Sequence, residues 1–273
     1  ENAIWRARDL QLMKNVQMVS PSLDFGAGDG ALSFIRAGGK FSLEYDAFTE
    51  IKDTKDFFSG KDIFDQTRSE SSIKLIKKPT YKIDVAFDHK SNLLSKARKL
   101  NFYKKTILGD GNLTLPFEDE TFKTIFSNII YWLNDPKKVF EELYRILKIN
   151  GRLILFLPSL NSKNYSFYFK NYLNNKKPEK FKFLEDIDRG RLSKTLSRSK
   201  SFDDWKKIIL EAGFDIQISK EYISGFLTRI WDIGLRPFSP YTIEMANSLE
   251  MSKRLEIKKR WVNETYHLFE GFL

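Results

Sequence analysis

The chain has no cysteine and only two histidines in 273 residues. That excludes disulfides, thiolate zinc sites and cysteine nucleophiles, and it leaves too little for a histidine-built metal centre, so no metal is expected. Long apolar runs are missing too. A stretch such as Leu153 to Leu157 falls far short of the ~20 residues that a membrane-crossing helix needs. No internal repeat and no low-complexity linker breaks the chain, and no targeting signal is visible within it, so a cytoplasmic location is expected. What is present is ordinary for a folded protein: 41% hydrophobic and 30% charged residues. The length suits one elaborated domain, residues 1–273, better than two.

Net charge is +10, and it is uneven. Residues 161–200 hold eleven Lys or Arg against four acids, interleaved with Tyr165, Phe167, Tyr168, Phe169 and Tyr172. This segment reads as a solvated lysine-rich face or, less simply, as a contact for an anionic partner such as nucleic acid.

Strand and helix signals alternate along the rest. Met18 to Leu23 reads as a strand running into Asp24 and a glycine-rich turn. Ile83 to Phe87 reads as a strand and Ser91 to Leu100 as a helix, and Lys105 to Leu108 and Thr124 to Ser127 read as further strands. Asp135-Pro136 opens a helix, with Asp as N-cap and Pro at the first helical position; Val139, Leu143, Ile146 and Leu147 give it an apolar face, and Asn150-Gly151 ends it. Arg152 to Leu157 is a buried strand. Ser201, followed by Asp203 and Asp204, caps a helix ending at Gly213, and Phe214 to Ser219 is the next strand. Tyr266 to Leu273 fits a last antiparallel strand. Such alternation predicts a mostly parallel sheet with helices on both faces. Three stretches stand outside it: an insertion at about 41–80, the basic insertion at about 161–200, and a partly helical extension at about 225–263.

The chemistry concentrates in Asp24-Phe25-Gly26-Ala27-Gly28-Asp29-Gly30. Glycines directly after a strand let a ligand approach the backbone and the helix that follows. Gly26, Gly28 and Ala31 also satisfy a dinucleotide fingerprint. A carboxylate before the first glycine suits an ammonium or sulfonium cation better than a pyrophosphate.

Here the sequence resembles the class I S-adenosylmethionine-dependent methyltransferases, particularly the branch acting on small molecules. The resemblance runs from about Val19 to Ser159 and from Ser201 to Ser219. It implies a Rossmann-like sheet of seven mostly parallel strands with helices on both faces, the two insertions forming a cap. It implies S-adenosylmethionine as cofactor and S-adenosylhomocysteine as product. Asp24, Phe25, Gly26, Ala27, Gly28 and Gly30 resemble the motif that cradles the methionine part. Asp88, with His89 after it, resembles the strand end whose acid grips both ribose hydroxyls, a task suited to a carboxylate's two acceptor oxygens. Asp110 and Gly111 resemble the adenine loop, and Asn128 a site-facing residue after the fourth strand. The spacing from Gly30 to Asp88 exceeds the family's habit, and the 41–80 insertion accounts for the excess. Where relatives often carry a histidine after the fourth strand, this chain has Ile129, Ile130, Tyr131 and Trp132.

No base stands out for the acceptor; the weak candidates are Tyr131, His267 and Asp46, with Glu44 and Tyr45 beside the last. By analogy the acceptor is a small molecule, a hydroxyl of a sugar or other metabolite. The alternatives are RNA, using the basic 161–200 segment, and an NAD(P)-binding oxidoreductase or a cofactor-binding module without turnover.

Overall fold

The computed structural model describes residues 3–46, 48, 49, 51, 73–188 and 191–271. Its strands are β1 (Ser22–Phe25), β2 (Lys40–Phe41), β3 (Leu75–Lys77), β4 (Ile83–Asp88), β5 (Tyr103–Leu108), β6 (Phe122–Ser127) and β7 (Leu147–Leu155). Before, between and after them run α1 (Ala3–Met13), α2 (Ala31–Arg36), α3 (Ser91–Lys99), α4 (Pro136–Ile146), α5 (Ser162–Tyr165), α6 (Phe183–Asp188), α7 (Arg191–Arg198), α8 (Phe202–Glu211), α9 (Gly225–Arg229), α10 (Ser239–Asn247) and α11 (Met251–Glu270).

Every residue of β1 is buried, because strands flank it on both sides and helices cover both faces. It pairs in parallel with β4 and β6, giving the order β5-β4-β1-β6-β7. One face packs Ala86 and Phe126 against Phe34 of α2 and Leu94 and Ala97 of α3. The other packs Phe25 and Ile125 against Val139, Phe140 and Leu143 of α4 and Trp205 of α8. The capping signals work as read: Asp135 accepts from the amides of Lys137 and Lys138, and Ser201 from that of Asp204. α4 stops earlier than expected, at Ile146. Leu147 turns into β7 to bury its side chain, and the left-handed position falls on Asn150 (φ 61°) rather than on Gly151.

Strand number departs from expectation: the main sheet has five strands among the described residues, not seven. Phe214 to Ser219 alternates as a strand should but forms no ladder. Phe214 is held by edge-on contacts with Phe140 and Tyr144, and a cleft separates the rest of the segment from the β7 edge. Tyr266 to Glu270 is the last turn of α11 instead of a strand, since the preceding residues propagate a helix through it.

The start and end of the 41–80 insertion pair as an antiparallel ribbon of β2 and β3, while residues 52–72 of it lie outside the described residues. The 161–200 segment is helical, and Tyr168, Tyr172, Leu184, Leu192 and Leu196 give it a small core of its own. It is tied to the C-terminal helices by buried Asp232. One oxygen of that carboxylate accepts from the Ser166 hydroxyl (3.0 Å) and the Tyr168 amide (3.3 Å), and the other from Arg236 Nη2 (3.0 Å). No helix among the described residues is long and apolar enough to cross a membrane.

Candidate active site

Strand order reverses at β1: the chain goes next to β4 on one side and later to β6 on the other. Such a switch point leaves a crevice at the carboxyl ends of the strands. The turn Gly26 to Gly30 occupies its floor, pinned to β4 where the amides of Gly26 and Ala27 donate to the Phe87 carbonyl (2.8 and 3.1 Å). Asp88, at the tip of β4, accepts from the Gly28 amide on Oδ2 (2.8 Å) and from the Lys90 amide on Oδ1 (2.9 Å). Each oxygen keeps a further lone pair, which is what a vicinal diol requires. His89 beside it is exposed, its Nδ1 3.5 Å from Asp88 Oδ1. The Gly109 amide donates to the Asp88 carbonyl (3.0 Å), so the loop after β5 joins the same rim. There Asp110 Oδ1 accepts from the amide and the side chain of Asn112 (2.9 and 2.7 Å), and those bonds hold the carboxyl below its usual value, helped by nearby His89.

The rim fits the nucleoside and amino-acid parts of S-adenosylmethionine. Gly28 has φ 57°, and a Cβ there would meet nothing nearer than Leu93 at 3.9 Å, so its free side is open for a ligand to approach the backbone. Gly30, which precedes α2, is glycine for another reason: a Cβ would lie 2.6 Å from the Tyr103 ring.

Tyr103 brings out a difference from the sequence argument. Its hydroxyl donates to Asp24 Oδ2 at 2.6 Å, and Asp24 is 2% exposed. β1 extends to Phe25, so Asp24 lies inside the strand and its side chain turns under the glycine turn instead of out over it. Burial pushes its carboxyl up, against the hydrogen bonds from Ser33 and Tyr103 and the charge of Arg36. Asp24 therefore fastens β1 to β5 beneath the site. Phe25 points to the opposite face, its ring stacked on Phe87 at 5.5 Å, and only its backbone leads into the turn.

Beside the rim opens a cleft of about 2000 Å³. Asn128 and Tyr131, from the loop after β6, line it together with Trp5 and Asp9 of α1, Tyr222 and Trp231. Arg198 of α7 clamps that loop by donating to the carbonyls of Tyr131 (3.4 Å) and Trp132. Asp9 is buried, held by Arg6 Nη1 at 2.9 Å and by the Tyr222 hydroxyl; burial pushes its carboxyl up and, with Asp9 beside it, pushes the Tyr222 phenol up as well.

The family description "Methyltransferase domain" matches residues 72–155, the span from just before β3 through β7 that carries Asp88, Asp110 and Asn128. Residues 72–155 thus carry a methyltransferase domain. The glycine turn lies outside that matched span, on the same rim as Asp88. Among solved structures, phosphoethanolamine N-methyltransferase 2 of Haemonchus contortus in complex with S-adenosylmethionine is 15% identical, with 95% of this chain and 49% of that one covered and a TM-score of 0.50. The same protein with phosphomonomethylethanolamine and S-adenosylhomocysteine gives 16% identity, 97% and 49% coverage and a TM-score of 0.50. A methyltransferase of Thermotoga maritima is 17% identical over 79% of this chain and 73% of that one, with a TM-score of 0.45. The chain thus spans about half the length of the Haemonchus protein, with which it shares a fold. No curated protein sequence matches it.

Of the residues weighed as bases, Tyr131 alone lines the cleft. Asp46 instead accepts from Arg254 Nη2 (2.8 Å), joining the 41–80 segment to α11; Glu44 pairs with Lys74, and the Tyr45 ring stacks on Phe41 at 4.4 Å. His267 is exposed on α11, 3.9 Å from Glu270. Sequence reasoning passed over Asp9, Tyr222, Trp5 and Trp231. None sits in a motif, and the one local signal was the spacing of Trp5 and Asp9, one helical turn apart.

Proposed function

We propose that the enzyme transfers a methyl group from S-adenosylmethionine to a hydroxyl of a sugar or other small metabolite. In this reading the Gly26–Gly30 turn cradles the methionine part and Asp88 takes the ribose hydroxyls. Asp110 accepts from the adenine amine, Asn128 faces the transferred group, and Asp24 keeps the turn in place. The sulfonium supplies an activated methyl, so the protein's task is to align the acceptor and exclude water.

The observation that carries the small-molecule reading is where the aromatic side chains go. In the basic 161–200 segment Tyr168 and Tyr172 are consumed in that segment's own core, which removes them as stacking platforms for bases. Trp5 and Trp231, by contrast, line the cleft with half-buried rings 5.3 Å apart. The Haemonchus neighbour holds phosphomonomethylethanolamine, a molecule of the size this reading requires.

Incubation with methyl-labelled S-adenosylmethionine and a fractionated cell extract tests the reading. Label is expected in small metabolites or glycans; label entering RNA, with a rate falling steeply as salt rises, would replace it. A thermal shift with S-adenosylhomocysteine and none with NAD is expected alongside, and the reverse would favour an oxidoreductase.

A further inference from the structure

Tyr103 is a buried tyrosine whose ring and hydroxyl both meet the glycine turn. It opens β5, and its hydroxyl donates to Asp24 Oδ2 at 2.6 Å across 79 positions of sequence. β4 stands between β1 and β5, so the side chain crosses a whole strand to make that bond. The β4 residue in register with Asp24 is Ala86, whose single methyl adds little bulk to the crossing. The same side chain lies against the far end of the turn: a Cβ on Gly30 would stand 2.6 Å from the Tyr103 ring and 3.0 Å from its hydroxyl oxygen. Asp24, two residues before Gly26, and Gly30, the last residue of the turn, thus meet one side chain.

We propose that Tyr103 is a positioning residue for the cofactor: acting through Asp24 and Gly30, it fixes the Gly26–Gly30 turn relative to the strand tips and so sets the affinity for the amino-acid end of S-adenosylmethionine. This rests on the reading that the turn cradles that end.

The middle of the turn is tied to β4, through the Gly26 and Ala27 amides on the Phe87 carbonyl and the Gly28 amide on Asp88. Its three glycines stand at φ 82°, 57° and 75°, a region in which glycine has the widest backbone freedom. A turn of such residues held only at its middle would present its amides in many orientations, and a ligand would have to order them on binding. Tyr103 removes that cost at both ends, with its ring as a floor under Gly30 and its hydroxyl as a donor to Asp24. The donor also matters to the acid. A buried carboxylate needs a hydrogen-bond partner, and with Tyr103 supplying one Asp24 stays beneath the turn, 2% exposed, instead of reaching for the ligand. What the site needs at position 24 is therefore an acceptor for the tyrosine and not a negative charge facing the cofactor. An amide can serve there; a methyl cannot.

The test measures, by calorimetry on the full chain, the affinity for S-adenosylhomocysteine and for 5′-methylthioadenosine, which keeps the nucleoside and the sulfur and lacks the amino-acid end. Tyr103→Phe keeps the ring under Gly30 and loses the donor. Its S-adenosylhomocysteine affinity should fall by about tenfold with methylthioadenosine affinity unchanged, a split that a general loosening of the fold would not produce. Asp24→Asn still accepts from the hydroxyl and should stay within about threefold of the unaltered protein, whereas Asp24→Ala should lose about tenfold. Tyr103→Phe added to Asp24→Ala should cost nothing further, because the two residues act as one unit. Should Tyr103→Phe fail to fold, the contrast between Asp24→Asn and Asp24→Ala decides. Equal losses for the two ligands, full S-adenosylhomocysteine affinity in Tyr103→Phe, or a loss in Asp24→Asn as large as that in Asp24→Ala overturns the proposal. Equal affinity of the unaltered protein for the two ligands would instead overturn the reading beneath it, since the amino-acid end would then have no seat in the turn.

Discussion

The two halves of the site are built on opposite plans. The cofactor rim is made of main chain and of acids at strand tips: the Gly26–Gly30 turn, Asp88 accepting from the Gly28 amide at 2.8 Å, and the Asp110 loop bonded to the same strand end. The cleft beside it is made of side chains brought from the far ends of the chain; Arg8 of α1, for instance, donates to the Tyr222 carbonyl across 214 positions. A rim whose donors are backbone amides tolerates wide change in the rest of the sequence and keeps its function. A cleft of side chains can be remade for a new acceptor without disturbing the rim.

That contrast can be broken or sharpened by mutation, beginning with the largest effect. Asp232→Ala removes the carboxylate that faces buried Arg236 and receives Ser166 and Tyr168, and a loss of about 3–5 kcal/mol in urea unfolding is expected. If the halves are independent, the variant that remains folded should bind S-adenosylhomocysteine normally in calorimetry. Asp88→Ala attacks the rim, which loses two charge-assisted bonds to its own backbone and the carboxylate proposed to take the ribose hydroxyls. Affinity for S-adenosylhomocysteine should fall by about 100-fold, while tryptophan fluorescence of the cleft is unchanged. Gly28→Ala places a methyl into the open side of the turn at a left-handed position. It should cost about 1 kcal/mol of stability and about tenfold in cofactor affinity, and an unchanged affinity would mean that no ligand approaches there. Asp135→Ala, remote from both halves, should cost about 1 kcal/mol through the lost cap and leave binding intact.

The smallest effect is one of pH. Burial raises the Asp24 carboxyl above 3.8, so the folded state holds that proton more tightly than the unfolded chain does. As pH rises from 3.8 to the raised value, the unfolded chain ionises first and stability falls; above that value the penalty is constant. Asp24→Asn should flatten this slope in urea unfolding followed from about pH 4 to 7, and an unchanged slope would show that Asp24 is not its source.

Much of the fold was legible because its signals are local. The Asp135 and Ser201 caps, the strand at Ile83 and the glycine turn depend on residues within a few positions of one another, and the structure has them where the pattern put them. Neither segment misread as a strand found a partner, and the second was also carried into helix by the residues before it. A strand needs a partner, and neither Phe214 to Ser219 nor Tyr266 to Glu270 carries information about whether an edge is within reach.

The site divides in the same way. The sequence by itself determined that a glycine turn follows β1 and that acids follow β4 and β5, since chain order and spacing place strand tips side by side in a parallel sheet. Only the tertiary structure decided which way each side chain faces. It turned Asp24 beneath the turn to meet Tyr103, and it brought Asp9 and Tyr222 together in the cleft. Side-chain direction depends on where a strand begins and on what packs against it, and such contacts between distant residues leave no local trace in the sequence.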